Sequence, residues 1–236
     1  MKNRLSGARL VYCFFFWLFF FRQNTGDEII SGESLLAVKE SIKFLKRNAR
    51  AEGLFRRTGR LNMRRRMLNA LKKGRVENFQ HAHRSDALEC AAALQLFIIR
   101  LKKPVVPFNV QRLMLAENPG IAAQDIARDA LGLIRQDVGG RHGELLADIL
   151  ELLSFLARSA PPSECSELQG SPLPIVLLPV FFRMTAKDLI TWQRIASRFK
   201  ELITGAPETL TRNSRPVENE NGKLMSNLLL VQCAIV

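Results

Sequence analysis

The stretch Glu52-Gly-Leu-Phe-Arg56-Arg57-Thr-Gly59 joins two segments whose apolar residues recur every three or four positions, and its reading decides what kind of bundle the chain builds. Upstream, Leu35, Val38, Ile42 and Leu45 line one face of a helix of about four turns, leaving Lys39, Glu40, Lys43 and Lys46 to water. Downstream, residues 61–73 form a second helix through Leu61, Met67, Leu68 and Leu71, with Gly74 where a left-handed C-cap is wanted. The exposed side of that second helix is almost wholly basic. A glycine-bounded loop between two such helices can present the Arg56 guanidinium outward. That group stays charged, is planar and can donate to two oxygens of a phosphoryl group at once, which a lysine cannot do.

Working outward, the chain reads as helix after helix. A third begins at Asp86, whose carboxylate is placed to accept the first free backbone N–H groups while Glu89 reaches back as a capping box. It runs through Leu88, Ala92, Leu96 and Ile99 to the stop at Lys102-Lys103-Pro104. The loop Pro104-Val-Val-Pro107-Phe leads into weaker helices at 109–116 and 122–136. Leu145, Leu146, Ile149, Leu152, Leu153 and Leu156 then give the strongest amphipathic stripe, ended by Pro161-Pro162. The last helix has Thr185 and Asp188 as a capping box, a stripe of Leu189, Trp192, Ile195, Phe199, Leu202 and Ile203, and a stop at Gly205-Ala-Pro207. No useful period-two alternation and no internal repeat occurs, so the expected fold class is all-α.

The 236 residues carry 35 Lys+Arg against 22 Asp+Glu, a formal charge of +13, with enough apolar residues for one sizeable core rather than two. The organisation expected is an N-terminal segment 1–26 outside the fold, a helical domain 27–205 and a tail 206–236. Residues 10–21 are an apolar run holding six of the fifteen phenylalanines, preceded by Lys2, Arg4 and Arg9. At twelve residues it is shorter than the roughly 20 that span a bilayer, and no small-residue cleavage site follows Arg22. An interfacial or signal-like segment, a buried extra helix, and a stretch foreign to the domain, such as mistranslated sequence, all stay open. Cys13, Cys90, Cys165 and Cys233 are scattered, which argues against a zinc site or disulfide framework and for a reducing, cytoplasmic setting.

Enzyme constellations are lacking in the sequence: no phosphate-binding Gly-x-x-x-x-Gly-Lys-Ser/Thr loop, no His-Glu-x-x-His and no nucleophile elbow. His81, His83 and His142 read as solvated loop residues, and the acidic residues as solvated helix faces. No metal and no cofactor is expected.

The Glu52–Gly59 segment resembles the arginine-finger loop of the Rho GTPase-activating (RhoGAP) domain family, Glu-Gly-Ile/Leu-Phe-Arg-x-Ser/Thr-Gly. Three further landmarks follow in order. Ala93 to Phe108 is similar to the family helix ending Leu-Lys-x-Phe-Leu-Arg-Glu-Leu-Pro-Glu-Pro-Leu-Ile, Leu145 to Ala160 to its central leucine-rich helix, and Leu173 to Phe182 to Asn-Leu-Ala-Ile-Val-Phe-Gly-Pro-Asn-Leu-Leu. The resemblance spans about residues 27–205 and implies a RhoGAP-like helical bundle that lends a catalytic arginine to a GTP-bound Rho-family small GTPase. It places Arg56 on the finger, with Arg57, Gly59 and Arg60 around it in the GTPase-binding loop. Departures accompany the match: the family's helix lysine falls on Gln95, the following arginine on Ile99, the asparagine beside the nucleotide on Pro172, and Asn-Lys-Met on Ser166-Glu-Leu168. These substitutions imply weaker positioning and reduced activity, or a binding module that occupies the GTPase without accelerating it. Pro172 and Pro174 should also disturb a helix start.

The run Arg56, Arg57, Arg60, Arg64, Arg65, Arg66, Lys72, Lys73, Arg75 contains no acidic residue. It reads either as a solvated helix face or as a positive field that attracts an acidic GTPase surface or an anionic membrane surface. Nucleic-acid binding is the rival in a different class; the basic pI near 10.3 favours it, while the lack of interleaved aromatics and of any reader motif counts against it.

Overall fold

The computed structural model describes residues 29–57, 59–159, 177–182, 184 and 192–211, and every regular element among them is a helix. In chain order these are α1 (Gly32–Arg47), α2 (Leu61–Lys73), α3 (Glu77–Gln80), a 3-10 turn (Arg84–Asp86), α4 (Ala87–Ile99), α5 (Phe108–Leu115), α6 (Ala123–Asp137), α7 (Gly140–Ser159), α8 (Leu178–Phe181) and α9 (Trp192–Thr211). The Phe-rich run, Thr58, the Pro161-Pro162 stop, Pro172, the Thr185/Asp188 capping box and the C-terminal stretch from residue 212 lie outside the described residues, as do Cys13, Cys165 and Cys233.

The α1 stripe packs as its spacing requires: Leu35, Val38, Ile42 and Leu45 are buried, joined by Ala37, Ser41 and Phe44. Ser31 caps the helix by accepting the Ser34 N–H at 3.2 Å. α1 lies against α2, α4 and α7, and α9 against α6 and α7, so one continuous core runs between the two groups. All six apolar residues of the α7 stripe are buried within it. α2 closes on Gly74 at φ 67°, where a Cβ would sit 2.5 Å from the Glu33 Cβ; the glycine is needed for both its backbone and the approach to α1.

Several sequence expectations are corrected. Asp86 does not cap α4 and Glu89 does not close a box with it. The capping box that forms belongs to the 3-10 turn, between the His83 side chain and Asp86, whose carboxylate accepts the His83 N–H at 3.1 Å. Around α4 the buried residues are Ala87, Glu89, Cys90, Ala91, Ala92, Ala93, Leu94, Phe97 and Ile98, so Ala92 of the expected stripe is buried, whereas Leu88 and Leu96 are only partly covered and Ile99 is 54% exposed. The helix is apolar almost all round, so residue spacing alone cannot choose its inward face. His142 is not a loop residue but the first turn of α7, its ring 2.7 Å from the Val105 carbonyl. α9 does not stop at Gly205-Ala-Pro207; it runs through Pro207 to Thr211, six residues into the stretch read as tail.

Buried Arg198 ties α9 to the end of α5. Its Nη1 donates to the carbonyls of Met114 at 2.8 Å and Ala116 at 2.7 Å, satisfying acceptors that the helix end leaves open. Phe181 and Phe182 pack on Phe199 with ring centroids 5.1 and 5.3 Å away, which seats the short α8 on the same helix.

Candidate functional site

The chain between α1 and α2 is a tight turn with two residues in the left-handed region. The Gly53 carbonyl accepts the N–H groups of Arg56 at 3.0 Å and Arg57 at 2.8 Å, folding Gly53–Arg57 into a closed loop. Gly53 has φ 80°, and a Cβ there would stand 2.7 Å from the Arg57 Cδ, so a side chain would be strained by conformation and would have to displace the Arg57 side chain. Phe55, immediately before Arg56, adopts φ 65°, a conformation that costs a non-glycine residue about 1–2 kcal/mol. It is held there because its ring is only 7% exposed, with Leu54 beside it in the core. Two buried apolar side chains therefore root the loop, and the backbone twist at Phe55 delivers Arg56 at the rim, partly covered, with Arg57 exposed after it.

The other root of the loop is polar. Oε1 of Glu89 accepts the N–H groups of Gly59 at 3.1 Å and Arg60 at 2.8 Å. Nη2 of Arg60 donates to the Ser85 carbonyl and to Oδ1 of Asp86, each at 2.6 Å, and lies 3.6 Å from Oε2 of Glu89. Asp86 and Glu89 are 4% and 3% exposed. Burial pushes the Glu89 carboxyl up, but the two backbone donors and the Arg60 charge outweigh it and hold it below the ordinary carboxylate range. The Arg60 guanidinium is held up by its bond to Asp86.

The structure thus gathers Arg56, Arg57, Gly59 and Arg60 in one loop and turns the Arg60 side chain onto the two carboxylates. Gln95 lies, half-buried, on α4, the helix packed against α2; Ile99 stands one turn further along the same face and is open to solvent. Pro172 is outside the described residues. Among the described residues no cluster of three or more His, Cys, Asp or Glu is arranged to hold a metal ion. Arg65, Arg66, Lys72, Lys73 and Arg75 project from the outer side of α2 and its C-cap, next to the loop. Sequence reasoning missed Glu89 and Asp86 as loop anchors. The available signal was an acidic residue in the middle of Ala87-Leu-Glu-Cys-Ala-Ala-Ala-Leu, where a solvated charge has no polar face to occupy.

Chemically, the arrangement offers two adjacent arginines, Arg56 and Arg57, on a strained, doubly rooted turn, beside a basic helix face. Residues 36–186 match the family model described as the RhoGAP domain. A solved structure titled as the BH domain from GRAF, the GTPase regulator associated with focal adhesion kinase, superposes with a TM-score of 0.57 at 13% identity, covering 77% of this chain and 96% of that one. No curated protein matches significantly by sequence.

Proposed function

Because the chain belongs to the RhoGAP domain family, a family of GTPase activators, we propose that it acts on a GTP-bound Rho-family small GTPase by inserting Arg56 into the partner's nucleotide site. The partner supplies the phosphate-binding loop, the Mg²⁺ and the attacking water. As the water oxygen bonds to the γ-phosphorus and the bond to the bridging oxygen breaks, negative charge spreads over the phosphoryl and leaving oxygens. The Arg56 guanidinium, fixed in charge, stabilises that distribution without needing a proton transfer. The carrying observation is the turn itself: Gly53 at φ 80°, Phe55 at φ 65° with its ring in the core, and Arg56 next in line at the rim.

The flanking face is weaker than the family pattern. Gln95 stands where the family has a lysine and exposed Ile99 where it has an arginine, so two charged contacts are replaced by an amide and a hydrocarbon. Each lost contact of that kind is worth on the order of 1–3 kcal/mol, which places the expected activity below that of a member retaining both. The exposed Ile99 side chain also favours a second reading, a module that binds the GTPase without accelerating it. Single-turnover hydrolysis of GTP on a panel of Rho-family GTPases separates the two. Acceleration by wild type that disappears in Arg56→Ala supports the finger; equal rates for the two proteins overturn it.

The basic outer face of α2 fits an acidic GTPase surface, raising the encounter rate, and the same charge would favour an anionic bilayer where lipidated GTPases reside. No helix among the described residues is long and apolar enough to cross a membrane. Co-sedimentation with phosphatidylserine vesicles, compared with neutral vesicles at rising salt, tests it.

A further inference from the structure

We propose that Glu89 is a positioning residue for the arginine loop, fixing its C-terminal root so that Arg56 meets the partner's phosphoryl group in a reactive geometry. The inference rests on the assignment of Arg56 as the finger. It starts from a deficit in α2: Arg60, its N-cap residue, makes no side-chain cap, and the first turn holds no acidic residue to complement the positive end of the helix. Glu89, reaching across from α4, fills both roles. One carboxylate oxygen takes the N–H groups of Gly59 and Arg60, while the other lies 3.6 Å from Nη2 of Arg60, the same nitrogen that donates to Asp86. The carboxylate therefore grips the backbone just three residues beyond Arg56.

The two roots of the loop are unlike in what they fix. Leu54 and Phe55 hold the N-terminal side by burial, which resists withdrawal from the core but leaves rotation about the loop's long axis open. Directional hydrogen bonds to Gly59 and Arg60 remove that freedom. Glu89 is 3% exposed and touches the loop from inside, so it is not placed to contact a partner itself. Its loss should reduce the maximal rate and leave affinity for the GTPase nearly unchanged.

The experiment combines amide hydrogen exchange of the free protein with single-turnover GTP hydrolysis at varied concentrations of the chain. In Glu89→Ala the amides of Gly59 and Arg60 should exchange faster while those of α7 keep their protection. The maximal rate should fall on the order of 10²-fold, the effect of a displacement of about 1 Å, with the half-saturating concentration changed less than about threefold. Glu89→Gln retains an acceptor oxygen for both N–H groups and should stay within about threefold of wild type. Glu89→Asp keeps the charge but falls short by one methylene and should lose about tenfold; if the alanine variant does not fold, this contrast of Asp with Gln decides. Unchanged exchange at Gly59 and Arg60, or a general loosening that includes α7, would overturn the anchoring. An undiminished maximal rate in Glu89→Ala or Glu89→Asp would overturn the coupling to catalysis. If Arg56→Ala works as well as wild type, the finger reading itself falls and takes the kinetic half of this inference with it, while the exchange result still decides the anchor.

Discussion

Glu89, buried at the loop end of the bundle, and Asp148, half-buried at the seam between α1 and α7, each have a basic side chain nearby, yet their carboxyls move in opposite directions. Glu89 is held below the ordinary range; Asp148 is raised, because burial and the neighbouring Glu151 and Glu144 outweigh the pull of Lys39 and Lys46. The difference lies in the donors. Two backbone N–H groups point at one oxygen of Glu89. Asp148 has Lys39 Nζ only at 3.9 Å, because that ammonium sits 2.8 Å from Glu144, and its Oδ2 accepts no hydrogen bond. A buried carboxylate is stabilised by directed donors rather than by the mere proximity of a cation. Directed donors are found where the chain has a loop to hold, and the looser pairing where it has only a helix seam.

If Arg56 works as proposed, chemistry belongs to the loop end and scaffolding to the seam, and the largest effects should divide along that line. Arg56→Ala should abolish whatever share this chain delivers of an acceleration that in finger-type activators is worth about 10³–10⁵, read as single-turnover hydrolysis. Lys39→Ala should leave the maximal hydrolysis rate per folded molecule as it was. Loss of rate in the seam variant, at unchanged fold, would break the division. Gly53→Ala comes next. It forces a side chain into φ 80° against the Arg57 methylenes and should cost about 1–3 kcal/mol, measured by denaturant titration, and lower the hydrolysis rate as well. An equal loss of stability with full activity would show that the turn matters to the scaffold alone. Smaller again, Arg65→Glu with Arg66→Glu should slow association with an acidic GTPase surface about tenfold at low salt and converge on wild type as salt rises, since steering is screened. Stopped-flow association at several ionic strengths reads this directly.

How much of this was legible in the residues depends on whether the signal was local. The α1 and α7 stripes, the αL glycine at position 74 and the sequence of the arginine loop all rest on contacts between neighbours in the chain, and their periodicity or turn chemistry reports them. What failed depended on contacts distant in sequence. Glu89 has the right spacing from Asp86 for a capping box, and nothing in that spacing reveals that its oxygen is taken by Gly59 and Arg60, about thirty residues upstream. α4 offered no polar face by which to orient it, so Ile99 looked like core and lies outside. Pro207 predicts a helix stop from its missing N–H alone, but Ala206 and Ile203 are buried where α9 packs against its neighbours, and that packing carries the helix past the lost hydrogen bond. The left-handed Phe55 is likewise invisible in sequence, because only a buried ring keeps a non-glycine residue there.

The smallest effect tests the comparison from its weaker side. Asp148 has its folded pKa raised, so between the ordinary carboxylate value and the raised one the folded protein binds the proton that the unfolded chain has released. Stability therefore falls as pH rises through that window, and the whole penalty is present at neutral pH. Asp148→Asn removes the charge while Lys39 keeps its 2.8 Å contact with Glu144, so it should stabilise the protein at pH 7 by roughly 0.5 kcal/mol. The gain should vanish below about pH 4, where the aspartate is protonated in both states. Glu89 gives the opposite sign: with its folded pKa lowered, its contribution is present above the ordinary carboxylate value and is lost as pH falls through the depressed one. Thermal melts of wild type, Asp148→Asn and Glu89→Gln from pH 3 to 8 should show the first variant above wild type at neutral pH and the second below it. If both variants fell on the same side of wild type, directed backbone donors would not be what separates the two carboxylates.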